Sequence, residues 1–218
     1  MKYKGNTEEL AMVRVILVRH GETEWNRDLR YQGKTDIELS PRGEEQARLL
    51  AERLAHQKIH AIYSSDLKRA WATAAAIAAC HGLDVVAEPR LREMGFGVWE
   101  GLTHSEIQGR FPEEMVRWEA DPLSETPPGG ESMGQVVERV IETLRDIVRR
   151  HRGQVVLIVA HGVSLRALLC EALGINPRAW RQFRLDPASI SELLFHDEGA
   201  VLTLLNDTCH LRIKTQFL

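Results

Sequence analysis

Short apolar runs alternate with longer amphipathic stretches along this chain, the pattern of strands alternating with helices. Residues 13–18 form the first run, and Val15 to Val18 are continuously apolar, as in a parallel strand buried on both faces. Residues 22–34 are polar and read as a loop, with Gly33 a turn candidate. Ser40-Pro41 then supplies a capping hydroxyl and a proline at the first helical position. Ala47, Leu50, Ala51 and Leu54 follow with the i, i+3, i+4, i+7 spacing of one buried face. Residues 59–63 read as a second strand ending in Ser64-Ser65. A helix opening near Ser65 or Asp66 stops before Gly82, with Leu67, Ala70, Trp71, Ala74, Ile77 and Ala78 as its apolar face. Residues 84–87 form a short edge-like strand closed by Pro89.

The alternation breaks over residues 91–131, which Gly95, Gly97, Gly101 and Pro112 interrupt. Thr103 with Glu106 predicts one short capped helix there, and Thr126-Pro-Pro-Gly-Gly-Glu131 closes the stretch. An insertion of this kind is where a lid or substrate pocket is expected. Ser132 caps a long helix over residues 133–150, with Val137, Val140, Leu144 and Ile147 on one side. Residues 155–159 are another buried strand, followed by Ala160-His161-Gly162 and a helix carrying Leu165, Leu168, Leu169 and Ala172 up to Gly174. Residues 189–195 and 201–206 pair as a hairpin across Asp197-Glu198-Gly199. The expected fold is therefore α/β, a three-layer α/β/α sandwich with a mostly parallel sheet and a C-terminal hairpin. The expected organisation is a flexible extension over residues 1–12, then a single domain over 13–218 with a lid-like insertion at 91–131.

Composition narrows the classes of partner. A length of 218 residues is enough for a full core without staples, and 44% hydrophobic with 27% charged residues is ordinary for a globular protein. A formal net charge of −3 leaves no basic footprint for nucleic acid, so an anionic ligand has to be held by a few local cations. The three cysteines, Cys80, Cys170 and Cys209, are odd in number and lack C-x-x-C spacing, which speaks against a disulfide framework or a zinc site. No apolar run approaches a membrane span and the first eleven residues lack the apolar centre of a signal peptide, so a cytoplasmic setting without membrane partner is expected. Nothing decisive fixes the oligomeric state, and a homodimer stays open.

The candidate chemistry lies where two buried strands each end in His-Gly, because ligands of open α/β sheets bind beyond the carboxyl ends of the strands. His20 and His161 come side by side if those strands are neighbours; taken singly, each could be a structural histidine. Arg19 beside His20 would repel a dication, so no metal is expected, and its guanidinium fork matches phosphate or carboxylate instead. Arg69 falls just past another core strand, in the first turn of a helix whose free N–H groups also favour anions; it could equally be a solvated helix residue. In a phosphate pocket a neutral imidazole can accept a phosphoryl group, and nearby arginines keep it neutral. A leaving alkoxide needs a proton. Glu93, among apolar residues at the mouth of the insertion, is the candidate general acid, with Glu22 and Glu100 as competitors and a surface pair with Arg92 as the bland alternative.

Arg19-His20-Gly21-Glu22-Thr23 with Asn26, followed in order by Ser64-Ser65-Asp66-Leu67-Lys68-Arg69-Ala70, Leu91-Arg92-Glu93 and Ala160-His161-Gly162, resembles the histidine phosphatase superfamily, the phosphoglycerate-mutase-like proteins. The likeness spans residues 13–174. It implies an α/β sandwich and a phosphohistidine mechanism without metal or organic cofactor. By that resemblance His20 is the phosphorylated residue, Glu93 the proton donor, and Arg19, Arg69 and His161 bind the phosphoryl group. Asn26, Gln32, Gly33 and the Gly162 backbone match positions that line the same pocket, with Thr23 supporting it through its hydroxyl. The patterns Arg-Glu-x-x-Phe-Gly-x-Trp-Glu-Gly and Pro-Gly-Gly-Glu-Ser look like those of the broad-specificity and alpha-ribazole phosphatases. The basic loop and arginine pair of the cofactor-dependent mutases are missing, although Arg110 and Arg117 are nearby. The expected function is hydrolysis of a small phosphate ester, with the mutase as alternative. Met94, Phe96, Trp99, Phe111, Met115 and Trp118 either cover an organic leaving group or simply pack the insertion on the sheet.

Overall fold

A computed structural model describes residues 12–212, so the extension expected over residues 1–12 lies outside the described residues except for Met12. The sheet has six strands: β1 (Val13–Arg19), β2 (Ala61–Ser64), β3 (Val85–Ala87), β4 (Val155–Ala160), β5 (Ile190–His196) and β6 (Gly199–Asp207), in the order β3-β2-β4-β1-β5-β6. The first four of that order run parallel, while β5 and β6 add an antiparallel edge. β1 and β4 are neighbours, with Arg19 opposite Ala160.

Strand alternation divides the core into two layers. Ile16 and Val18 of β1, with Leu157 and Val159 of β4, face helices α2 (Pro41–Leu54) and α3 (Lys68–His81). Val15 and Leu17, with Val156 and Ile158, face α6 (Met133–Arg150) and α7 (Gly162–Ala172) on the other side. A sheet covered on both faces explains why these strands are continuously apolar. Ser40 accepts from the Gly43 N–H as expected, Gly82 ends α3 in the left-handed conformation with φ 61°, and Ser132 opens α6 with a capping box.

Four local expectations change. The polar stretch read as loop contains a short helix, α1 (Glu24–Arg27), because Thr23 and Asn26 form a reciprocal cap. The insertion holds two helices instead of one, α4 (His104–Arg110) and α5 (Pro112–Ala120), since Pro112 starts a helix at its first turn and does not break one. Trp71 is 39% exposed and outside the α3 core face. On α6 Val136 is fully buried where Val137 was expected, the latter packing at the core margin.

Candidate active site

Arg19, His20, Arg69 and His161 are each placed by a strand end or by the helix that follows it. Leaving β1, Arg19 and His20 emerge beside the end of β4, and the His20 N–H donates to the Ala160 carbonyl at 3.0 Å. The chain can turn there because Gly21 packs on the start of α2: a side-chain carbon at Gly21 would lie 2.6 Å from the Gly43 oxygen. His20 and His161 thereby face each other with ring centroids 5.1 Å apart.

A hydrogen bond fixes what the His20 ring offers. His20 Nδ1 lies 2.6 Å from the Gly21 carbonyl, which can only accept, so Nδ1 carries the hydrogen and Nε2 keeps its lone pair. Burial, reinforced by the charges of Arg69 and Arg19, holds the His20 imidazole well below its ordinary 6.5. His161 Nε2 bonds Ser65 Oγ at 2.8 Å and its Nδ1 has no partner within the protein. Burial first, then Arg69, His20 and Arg19, also push His161 well below 6.5.

Two guanidinium groups complete the anion site. Arg19 donates from Nη1 to the Leu185 carbonyl at 2.6 Å and its Nε is buried without a partner. Burial lowers Arg19 to about 10, which still leaves it charged at neutral pH. Arg69, at 0% exposure, donates to the Thr35 and Gly33 carbonyls at 2.9 and 2.8 Å, and its Nε too lacks a partner. Buried donors of this kind are costly unless something meets them. Gly33 has to be glycine: its φ is +54°, and a side-chain carbon would lie 2.0 Å from Glu100 Oε1.

The start of α3, expected to serve the anion, is already occupied. The Lys68 N–H donates to Asp36 at 2.7 Å and the Lys68 ammonium pairs with Glu38. At the start of α7 the Val163 and Ser164 N–H groups go to Glu93, and Gly162 is the residue left facing the site. Gly162 lines the cavity, where a side-chain carbon on it would sit 3.6 Å from Arg19 Nε and 3.7 Å from Glu93 Oε2. Glu93 accepts from the Met94, Val163 and Ser164 N–H groups through Oε1, while Oε2 meets only the shared Val163 N–H. Glu93 is therefore the inward-facing carboxylate. The competitors are engaged elsewhere: Glu22 with Ser40 and Arg42, Glu100 with the Lys34, Thr35 and Phe96 N–H groups. Arg92, offered as a surface partner for Glu93, pairs with Asp66 at 2.7 Å.

A cavity of about 390 Å³ is lined by Arg19, His20, Asn26, Gln32, Gly33, Arg69, Glu93 and Gly162, all singled out from the sequence. Thr23 does not reach it; its hydroxyl and N–H both go to Asn26 Oδ1, which turns the Asn26 amide nitrogen to the cavity side. Phe96 is the one member of the apolar group to line the cavity, whereas Met94, Trp99, Met115 and Trp118 are buried in the core and Phe111 packs on its margin. Sequence reasoning missed Tyr31, Arg30 and Arg166 on the wall, and Arg139 behind it. Arg139 of α6 donates to the carbonyls of Arg90, Arg92 and Glu93 and pairs with Glu131 at 3.1 Å.

Known proteins resemble this chain in sequence and fold. Residues 15–208 match the model of the histidine phosphatase superfamily (branch 1). Phosphoserine phosphatase 1 of Hydrogenobacter thermophilus is 42% identical over 200 residues, covering 92% of this chain and 95% of the relative. A probable phosphoglycerate mutase, GpmB, of Serratia proteamaculans is 42% identical over 210 residues, with 92% and 95% covered. Among solved structures, a putative alpha-ribazole-5'-P phosphatase of Escherichia coli superimposes with a TM-score of 0.83 at 32% identity, covering 89% of this chain and 96% of that one. With an ordered match over nearly its whole described length, the chain belongs to the histidine phosphatase superfamily.

Proposed function

We propose that the protein hydrolyses a small phosphomonoester by transferring its phosphoryl group to His20. The observation that carries this reading is the free Nε2 lone pair of a neutral His20 beside two buried donors without partners among the described residues, Arg19 Nε and Arg69 Nε, with the His161 ring packed against it. His20 Nε2 attacks phosphorus as the ester P–O bond breaks, the equatorial oxygens being held by those donors. Glu93 Oε2 gives its proton to the leaving oxygen; water then attacks the phosphorus as the P–Nε2 bond breaks, and its proton returns to Glu93 as phosphate leaves. Asn26, Gln32, Gly33 and the Gly162 N–H line the pocket, and Thr23 acts through Asn26. Rapid quench with labelled substrate should trap an acid-labile, alkali-stable phosphoenzyme in the wild type and none in His20→Ala. Equal labelling of the two proteins would overturn the reading.

The mutase reading rests on the GpmB relative. Against it stand Arg110 and Arg117: both are exposed, neither lines the cavity, and Arg117 pairs with Glu114 and Glu125. A mutase has to hold a second anionic group while its substrate reorients, and these arginines are too far out to do so. Isomer formation without net phosphate release would favour the mutase. Alpha-ribazole phosphate belongs on the same substrate screen, on the strength of the shared Phe-Gly-x-Trp-Glu-Gly pattern. The insertion serves as the cover of the site through Glu93 and Phe96. A homodimer would use the outer edge of β6, where Val201, Leu204 and Leu205 are exposed. Free Cys80, Cys170 and Cys209 support a reducing, cytoplasmic setting, and no described helix is long and apolar enough to cross a membrane.

A further inference from the structure

Four guanidinium groups line the cavity, those of Arg19, Arg30, Arg69 and Arg166, and a phosphate accounts for only two. Arg30 is spoken for, since it donates to the Gly101 carbonyl at 2.6 Å and pairs with Glu106 at 3.1 Å. Arg166 differs from most arginines of the chain. Among the described residues no carboxylate lies within ion-pair distance of it. Its Nε donates to the Phe183 carbonyl at 2.8 Å and its guanidinium lies over the Trp180 ring, 5.6 Å from the centroid. Those two contacts hold the plane, while its two Nη groups make no hydrogen bond among the described residues. The group is half-buried and burial lowers it from the usual arginine range; Glu93 and Asp186 act on it from beyond ion-pair distance, so the guanidinium faces the cavity wall charged and without a direct carboxylate partner.

Its position along α7 gives the direction. Arg166 follows Gly162 by four residues, one turn down the same helix face and roughly 6 Å along the axis. A phosphoryl group bound at Arg19, Arg69 and the α7 N-terminus therefore directs its ester oxygen past Glu93, toward Arg166, with Phe96 and Tyr31 as the apolar wall. Those two rings meet edge to face at 4.8 Å. From this we infer that Arg166 is a specificity-determining residue, selecting phosphomonoesters whose short leaving group carries a carboxylate. A single planar fork with two free Nη groups matches one carboxylate, whereas a second phosphate dianion calls for more donors than this wall offers. The cavity, at about 390 Å³, is near the small end of ligand sites and suits a leaving group of a few carbons.

The inference rests on the phosphatase reading and is tested so that the two fail separately. Matched esters, 3-phosphoglycerate against glycerol 3-phosphate and phosphoserine against phosphoethanolamine, are compared on wild type, Arg166→Gln and Arg166→Lys. The wild type should favour the carboxylate member of each pair by at least tenfold in kcat/KM. Arg166→Gln should reduce that ratio at least tenfold, chiefly through KM, and Arg166→Lys should restore part of it. No carboxylate preference in the wild type, or equal losses on both members of a pair, overturns the assignment; equal losses mark Arg166 as a clamp for the 177–182 turn. Wild type that releases phosphate from no ester, p-nitrophenyl phosphate included, overturns the phosphatase reading. In that event equilibrium binding of the same pairs to His20→Ala, with and without Arg166→Gln, still decides the role of Arg166.

Discussion

At the scale of single residues, the two oxygens of Glu93 have separate duties. Oε1 collects N–H groups from Met94, Val163 and Ser164, and Oε2 is the oxygen beside Gly162 and the cavity. Glu93→Gln can keep a carbonyl oxygen in the Oε1 position and so retain the start of α7, while losing the transferable proton. Phosphorylation of His20 by an alkyl phosphate should then slow by roughly 10²–10⁴-fold, the usual worth of general acid catalysis. Phosphorylation by p-nitrophenyl phosphate should slow far less, because nitrophenolate leaves without a proton. Single-turnover quench measurements on the two esters check this, and matching losses would remove Glu93 from the acid role. Glu93→Ala should also lose stability, by about 1–3 kcal/mol, since it orphans buried N–H groups. Glu93 was legible in the sequence as an acidic residue among apolar ones. Its separation from Glu22 and Glu100 was not, because that depends on which backbone donors each carboxylate meets.

At the scale of elements, the insertion and α6 are joined by one side chain. Arg139 reaches from α6 to three consecutive-region carbonyls, those of Arg90, Arg92 and Glu93, and closes on Glu131, itself bonded to the Gly95 N–H and Lys34. The Glu93 backbone is thus held from a helix that contributes nothing to the cavity wall. Arg139→Gln should cost about 1–3 kcal/mol, because it strips charge-assisted hydrogen bonds from three partly buried carbonyls and from Glu131, read as a lower denaturant midpoint. Its kinetic signature should copy Glu93→Gln, with alkyl esters slowed more than p-nitrophenyl phosphate, and Arg139→Lys should recover part of the loss. A variant that is merely less stable would slow both esters alike. This clamp escaped the sequence because it is a contact between distant segments, whereas the elements it joins were legible from capping and periodicity. The same limit explains α1 and α5: a four-residue helix held by Thr23 and Asn26 has no apolar period to read, and Pro112 can start a helix as well as end one.

At the scale of the whole molecule, the sequence left one condition open, whether the two His-Gly strands are neighbours, and only the sheet order answers it. The parallel pairing of β1 with β4 buries both imidazoles side by side near two guanidinium groups, an environment that favours their neutral forms. The sign of the pH dependence follows. His20 and His161 have lower pKa values folded than unfolded, so below about 6.5 the unfolded chain takes up protons that the folded chain refuses. Their contribution is complete above the unfolded value and is lost as pH falls beneath it, by up to about 1.4 kcal/mol per histidine per pH unit. The carboxylates held low by their partners, such as Asp66 and Glu131, follow only nearer pH 4, so pH 5–6.5 isolates the imidazoles. Half-buried His210, also lowered by burial, adds to the same slope. Urea midpoints at pH 7.5, 6.5 and 5.5 should therefore fall slightly between the first two, where the unfolded imidazoles are half protonated, and about three times as far between the second and third. The double variant His20→Asn, His161→Asn should flatten that fall. Bound phosphate should flatten it as well, because an anion against both rings lets the folded protein accept the proton. A wild-type midpoint that holds constant down to pH 5.5 would mean that the pocket admits water enough to protonate its histidines, and the neutral nucleophile would go with it.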